Sequence, residues 1–367
     1  MHQARPPLHP SANIPCSACG LNGRSGDVRV SRGNRILILG APNRENPVGS
    51  RERANTKILK NIVQRWEGNP VISIRELPFQ ASDIHNAGAI KHNGEYILLV
   101  TIENLRGDCA IYLARSKQGK RFEIDETPFL ASAEEEAFAA YESQGVRDPR
   151  ITHFDGVYYI VYLAESRHGV RLGLAKTRNF RSVKRVAMIS EPDTKNGMLF
   201  PRKIGGKYAR LERPAEGSSI WMSYSTDLIH WGGWELVMTP RGGFWDSHRI
   251  GAAVPPMETE CGWLLIYYGE RELAGGPLFR LGVAFLDREN PAEVIGRSNI
   301  PVLAPYQRYE RIGDAGNLVF SCGAVLSDDD SQLEIYYGAA DSCICLGTVD
   351  VADLEKACFA SKAKGEA

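Results

Sequence analysis

Five times along this 367-residue chain, a turn pair is followed by a short strand of aromatic and branched residues. The units read NGEYILLV, DGVYYIVY, GGKYARLE, CGWLLIYY and SQLEIYYG, anchored on Tyr96, Tyr158, Tyr208, Trp263 and Leu333. Successive anchors lie 62, 50, 55 and 70 residues apart. Each unit adds one or two further strands, such as RLGLAKT after the second and SSIWMSYS after the third. Such short strands, rich in Tyr, Val, Ile and Leu and broken by Gly, Asp and Asn, cannot bury their apolar faces alone. Repeats of this size with about four strands each are the signature of propeller blades. The chain is therefore expected to be all-β, a five-bladed β-propeller. A pair of β-sandwiches is the plainer alternative, but it leaves five similar units in one register unexplained.

The remaining segments differ. Residues 1–34 are poor in hydrophobics and read as a disordered tail, or as translation from a start codon placed too early. They carry no apolar stretch of the kind a secretory signal needs. In residues 50–66, Ile58, Ile62, Val63 and Trp66 fall at helical spacing, which predicts an amphipathic helix ahead of the blades. The propeller domain is thus expected over 35–367, helix included, with VADLEKACFASKAK as a second helical stretch at its end. The apolar face of the 50–66 helix has no assigned blade, so it would either join two copies in a homo-oligomer or close one end of the ring.

Charge narrows the partners. Forty-four Lys and Arg balance 44 Asp and Glu, against the basic excess of a nucleic-acid binder and against broad attraction to anionic membranes. No run approaches the roughly 18 apolar residues of a membrane span. The eight cysteines are scattered through apolar runs, as reduced thiols are, so a cytoplasmic location is expected. Cys16 and Cys19 alone have metal-like spacing, without a second pair to complete a site. Neither GxGxxG nor GxxxxGK[ST] occurs.

In a propeller the innermost strands meet around the axis, so the segments just upstream of the anchors should converge there. They are IHNAG, GVRDPR, KNGMLFPRK, SHRIGAAVPP and NLVFSCG, richer in Asn, Asp, Arg, Lys and Gly than strand interiors should be. A shared polar pocket is the reading. With HNAGAI at 85–90, GVRDPRI at 145–151, KNGMLFPRKIGGKYARLERP at 195–214, DSHRIGAAVPP at 246–256 and YYGAAD at 336–341, the chain resembles glycoside hydrolase family 130. That family comprises the β-mannoside phosphorylases and related β-mannosidases. The resemblance runs from about Asn69 to Asp341.

Splitting a glycosidic bond with inversion needs a proton for the leaving oxygen and a nucleophile on the opposite face. A hydrolase needs a second carboxylate to activate water. A phosphorylase uses phosphate, already anionic, and needs one acid and a cationic cradle. The resemblance implies Asp148 as the acid, protonating the bridging oxygen through the 3-hydroxyl of the mannosyl unit. It implies Lys195, Arg213 and Arg249, on three blades, as the phosphate site, where charge-assisted bonds are short and strong. The related hydrolases lack that cluster. Asn86, Asn196 and Asp341 would hold sugar hydroxyls, although each residue type also suits an Asx turn. Arg150 would either hold Asp148 or touch sugar, and a direct pair would weaken Asp148 as an acid. Trp245, Tyr268 and Tyr309 are candidates to stack on a sugar face.

The implied reaction is phosphorolysis of a β-mannoside to α-mannose 1-phosphate, with inorganic phosphate as co-substrate and no metal or other cofactor. The alternatives are an inverting β-mannosidase, with Glu103 or Glu310 as second carboxylate, and a non-catalytic sugar-binding propeller. Five positions depart from the family pattern. Thr101 stands where many members carry Arg, and Arg147 where Glu or Tyr is usual. Lys195 and Arg249 exchange Arg and Lys, and Tyr268 replaces a His.

Overall fold

A computed structural model describes residues 62–214 and 217–359. The expected tail, Cys16, Cys19 and residues 50–61 of the expected helix lie outside the described residues. Five antiparallel sheets form the blades of a propeller. Their innermost strands are Asp83–His92, Val146–Phe154, Lys195–Leu199, Arg249–Ala252 and Val319–Leu326. From each of these the sheet steps outward through consecutive strands, so every anchor residue sits on the second strand of its blade.

The turn chemistry explains the first three hairpins. Asn93-Gly94, Asp155-Gly156 and Gly205-Gly206 all have positive φ at both positions, 50° and 79°, 49° and 69°, and 54° and 81°. Two left-handed residues in succession make the turn whose twist matches the flanking strands, and Asn, Asp and Gly tolerate it best. Apolar residues from facing sheets then fill the spaces between blades. One such core joins Ile266, Val283, Tyr337 and Cys345 of the last two blades. The helix Val351–Phe359 lays Leu354 and Cys358 on it.

The expected helix over 50–66 fails at its described end. Gln64–Arg65 is a strand, paired with Thr348 and Gly347 on the last blade. Ile72–Ser73 adds to the same strand, Cys343–Asp350. The first residues of the described chain thereby supply the outer strand of the fifth blade and close the ring. Without them Cys343–Asp350 would present a row of unpaired backbone groups, and hydrogen bonds to that edge outweigh a local helical pattern. Val63 and Trp66 pack into the cores of their own propeller.

The described cysteines are all free thiols, buried except Cys261. No helix among the described residues is long and apolar enough to cross a membrane.

Candidate active site

The chemistry-bearing segments meet at the N-terminal ends of the inner strands. Three of those strands carry a bulge at the matching place: Asn86, Asp148 and Asn196, with φ of 45°, 55° and 56°. The pairing register slips at each of them, between His85 and Ala87, Arg147 and Arg150, and Lys195 and Met198. An extra residue in the left-handed region breaks the in–out alternation and re-aims the side chain, and Asn and Asp adopt that region more readily than other L-residues. Three consecutive blades thus repeat one backbone device at the axis.

The devices are linked. Asn86 Nδ2 donates to Asp148 Oδ1 at 2.8 Å, across two blades. The Thr101 hydroxyl accepts the Asp148 N–H at 3.1 Å and donates to the Asn86 carbonyl at 3.4 Å. Thr101 is fully buried, so this position ties two bulges together beneath the pocket. Its departure from the family pattern therefore has a structural use, which the sequence alone did not reveal. Asn196 Oδ1 accepts from Arg213 Nε and from the Tyr268 hydroxyl, both at 3.2 Å. Gly251 makes room for that meeting: a Cβ there would lie 2.4 Å from the Tyr268 ring and 2.8 Å from Asn196 Oδ1.

The basic residues converge. Lys195 and Arg213 are direct cross-strand partners, a placement that sets like charges against each other. Lys195 has no hydrogen-bond or ion-pair partner among the described residues. Its pKa is lowered by burial and then by Arg147 and Arg213, while Asp148 and Glu165 oppose the shift. Arg249, 42% exposed at its side chain, reaches Glu270 only loosely, at 3.6 Å. Arg213 and Arg249 both lie close enough to the Tyr268 hydroxyl to work against the rise that burial imposes on it. Arg147 sits at the same rim, paired with Glu165 at 2.8 Å.

Arg150 is 2% exposed and lies under the pocket. It donates to the backbone carbonyls of Asp148 and Ala253, each at 3.0 Å, rather than to the Asp148 carboxylate. Burial would raise the Asp148 pKa, but Arg150, Arg147, His85 and the Asn86 bond together bring it below the ordinary value. Asp341 behaves oppositely. Burial first, then Asp83, Asp148 and Asp314, push it up to about 6 against the pull of His85. His85, 3.4 Å from Asp83, is itself raised despite burial, by Asp83, Asp341 and Asp148. The Asp83–His85 pair was not singled out from the sequence. Its one available signal was the His that opens the HNAGAI segment.

Asn86 Oδ1, Arg150 Nη2, Glu270 Oε2 and Asp341 Oδ1 are buried without a hydrogen-bond partner. Such atoms are costly unless a polar ligand meets them, and here four of them surround one axis. His248, Glu270 and Glu272 place their ligand atoms within 4.8 Å of one another. A metal ion there would compete with Arg249 for Glu270.

Three expectations shift. Trp245 is buried against Tyr267, with ring centroids 5.5 Å apart. Tyr268 is buried against Phe320, so neither it nor Trp245 turns an open ring face to a sugar. Tyr309 is half-buried and packs one side on the core of the last two blades. Glu310 is fully engaged, holding Arg65 Nε at 2.6 Å, the Tyr337 hydroxyl at 2.9 Å and two backbone amides. It is a structural anchor for the ring-closing strand and not free to activate water. Glu103 accepts from the Ser82 hydroxyl at 2.9 Å.

Fold and site together define a five-bladed β-propeller with a polar, cation-rich cluster of side chains where its inner strands begin. The chain belongs to glycoside hydrolase family 130, whose model, described as β-1,4-mannooligosaccharide phosphorylase, matches residues 54–358. Among curated relatives, β-1,2-mannobiose phosphorylase of Listeria innocua is 37% identical over 63% of this chain and 64% of its own length. The 1,2-β-oligomannan phosphorylase of Thermoanaerobacter is 31% identical over 80% of this chain and 99% of its own. The solved L. innocua β-1,2-mannobiose phosphorylase, in complex with β-1,2-mannobiose, superposes with a TM-score of 0.73 at 28% identity. It covers 80% of this chain and 98% of that one.

Proposed function

We propose that the chain is an inverting β-mannoside phosphorylase that releases α-mannose 1-phosphate. Phosphate, gathered by Lys195, Arg213 and Arg249, attacks the anomeric carbon from the face opposite the leaving sugar. Asp148 gives its proton to the mannosyl 3-hydroxyl, which passes its own proton to the bridging oxygen as the C–O bond breaks. The proton carried by the attacking phosphate is released to solvent, from which Asp148 is recharged. Asn86, Asn196 and Asp341 hold sugar hydroxyls, and Arg150 fixes the Asp148 backbone from below.

The observation that carries this reading is the unpartnered Lys195 set opposite Arg213, beside the blade that bears Asp148. Two like charges placed face to face, neither in a direct ion pair with a carboxylate, are suited to a small anion that neutralises both. The low pKa of Asp148 is consistent with the same scheme. A phosphate dianion near Arg147 and Lys195 would offset the cations that hold the carboxyl ionised, and so move it toward protonation. The relatives' names, and that of the family model, support a β-mannoside as substrate.

The test is incubation with β-1,2- and β-1,4-mannooligosaccharides, with and without phosphate. Consumption only with phosphate, with α-mannose 1-phosphate as product, is expected. Equal consumption in phosphate-free buffer overturns the proposal in favour of hydrolysis. Reverse phosphorolysis from α-mannose 1-phosphate, screened against glucose, N-acetylglucosamine and mannose, identifies the acceptor.

A further inference from the structure

A cavity of about 530 Å³ opens along the third blade where the connection from the second blade crosses it. Three tryptophans line it: Trp221, Trp231 and Trp234. Trp234 is 53% exposed, although the ring is large and apolar. It is also held in place, because its Nε1 donates to Glu212 Oε1 at 2.9 Å. Behind it Arg210, buried, pairs with Glu212 at 2.6 Å and lies over the Trp231 ring at 4.3 Å. Arg210 Nε has no partner among the described residues.

The cavity is separate from the axial site. Arg213 turns toward Asn196 and the fourth blade, and neighbouring residues on a strand face opposite ways, so Arg210 and Glu212 lie on the other side of the sheet. Yet Thr194 and Pro214 line it too, and they flank Lys195 and Arg213 in the chain. The cavity therefore begins at the same rim.

Its acids disfavour an anion. Arg210 is neutralised by Glu212, and Glu191 adds a further acid to the wall. What remains is a set of indole faces with carboxylate and hydroxyl acceptors between them, in a volume typical of small-ligand sites, about 300–1,000 Å³. Indoles bind the apolar C–H face of a pyranose, and the acceptors take its hydroxyls.

We propose that this cavity is a secondary carbohydrate site for a neutral oligosaccharide, the distal part of a β-mannoside chain longer than the axial site holds. The choice of sugar rests on the reading under Proposed function. The test uses the full chain carrying Asp148→Asn in phosphate-free buffer, so that turnover is negligible. It is titrated with β-1,2- and β-1,4-mannotetraose by calorimetry and tryptophan fluorescence. One binding event is expected with at least one tetraose, tighter than that of the corresponding mannobiose. Adding Trp234→Ala should weaken tetraose binding by roughly tenfold and leave mannobiose binding unchanged, while Trp234→Phe, which keeps a ring, should weaken tetraose binding less. In the otherwise unsubstituted enzyme, Trp234→Ala should leave kcat/KM for mannobiose unchanged and raise KM for tetraose. Tetraose binding that is no tighter than mannobiose binding, or that is indifferent to Trp234→Ala, overturns the inference. Should the enzyme fail to phosphorolyse mannosides while Trp234-dependent tetraose binding persists, the catalytic reading falls and this site stands.

Discussion

Replacing Lys195 by methionine separates the charge of the proposed anion site from the stability of the blade that carries it. Lys195 and Arg213 face each other directly across two strands. Like charges so placed cost about 0.2–1 kcal/mol. Burial, Arg147 and Arg213 all lower the Lys195 pKa, so the folded state disfavours the ammonium. Methionine keeps a stem of the same reach up to Cε and removes the charged group beyond it. In phosphate-free buffer Lys195→Met is therefore expected to be as stable as wild type or more stable, by up to about 1 kcal/mol, or roughly 2 °C in Tm for a chain of this size. Phosphate reverses the order. At 100 times its Kd, a ligand that binds only the folded state adds about 2.7 kcal/mol, so wild-type Tm should rise by about 5 °C. The variant should gain far less. A linked sign follows at alkaline pH. Between the lowered folded pKa and the unfolded value of 10.5 the unfolded chain binds more protons, so wild-type stability rises with pH there and the variant's does not. Thermal melts with and without phosphate read both effects. A variant that is less stable without phosphate and keeps the full phosphate gain refutes the reasoning.

Asp148→Asn should reduce turnover of mannooligosaccharides by about 10²–10⁴, with a much smaller loss on an aryl β-mannoside whose leaving group needs no proton; equal losses on both substrates would count against an acid role. Thr101→Val removes the hydroxyl between the Asp148 amide and the Asn86 carbonyl. It should cost about 1–3 kcal/mol in stability and lower kcat more than it changes KM, with Thr101→Ser restoring both, as steady-state kinetics and urea melts will show. Asp341, pushed up to about 6, holds more protons folded than unfolded between roughly pH 4 and 6, so wild-type stability falls as pH rises through that window. Asp341→Asn should remove the fall and be the more stable form at pH 7, by on the order of 1–2 kcal/mol; parallel urea midpoints for the two proteins at pH 4.5 and 7 would disprove it.

The blades were legible because their determinants are local. Asn93-Gly94 and Asp155-Gly156 make their turns whatever surrounds them, and alternation with period two sets the faces of the strands that follow. The segments that carry Asn86, Asp148 and Asn196 were also legible, as polar stretches at one repeated place in three units, and the family resemblance picked out the three residues, although the bulges that re-aim them were not legible. The aromatic candidates misled because a tyrosine in a strand reads the same whether its ring faces a pocket or, like Tyr268, a neighbouring Phe. Glu310 misled likewise, since the Arg65 that engages it lies 245 residues away in sequence.

By itself the sequence determined the all-β repeat, the turns and the set of acids, amides and cations at the start of each inner strand. All of these rest on neighbours a few residues apart. The tertiary structure decided that Gln64–Arg65 leaves its helical pattern to close the ring, and that Thr101 joins two bulges. It also decided that burial and cations pull Asp148 and Asp341 in opposite directions. Those outcomes depend on distances between segments far apart in the chain, which exist only once the five blades have met around one axis.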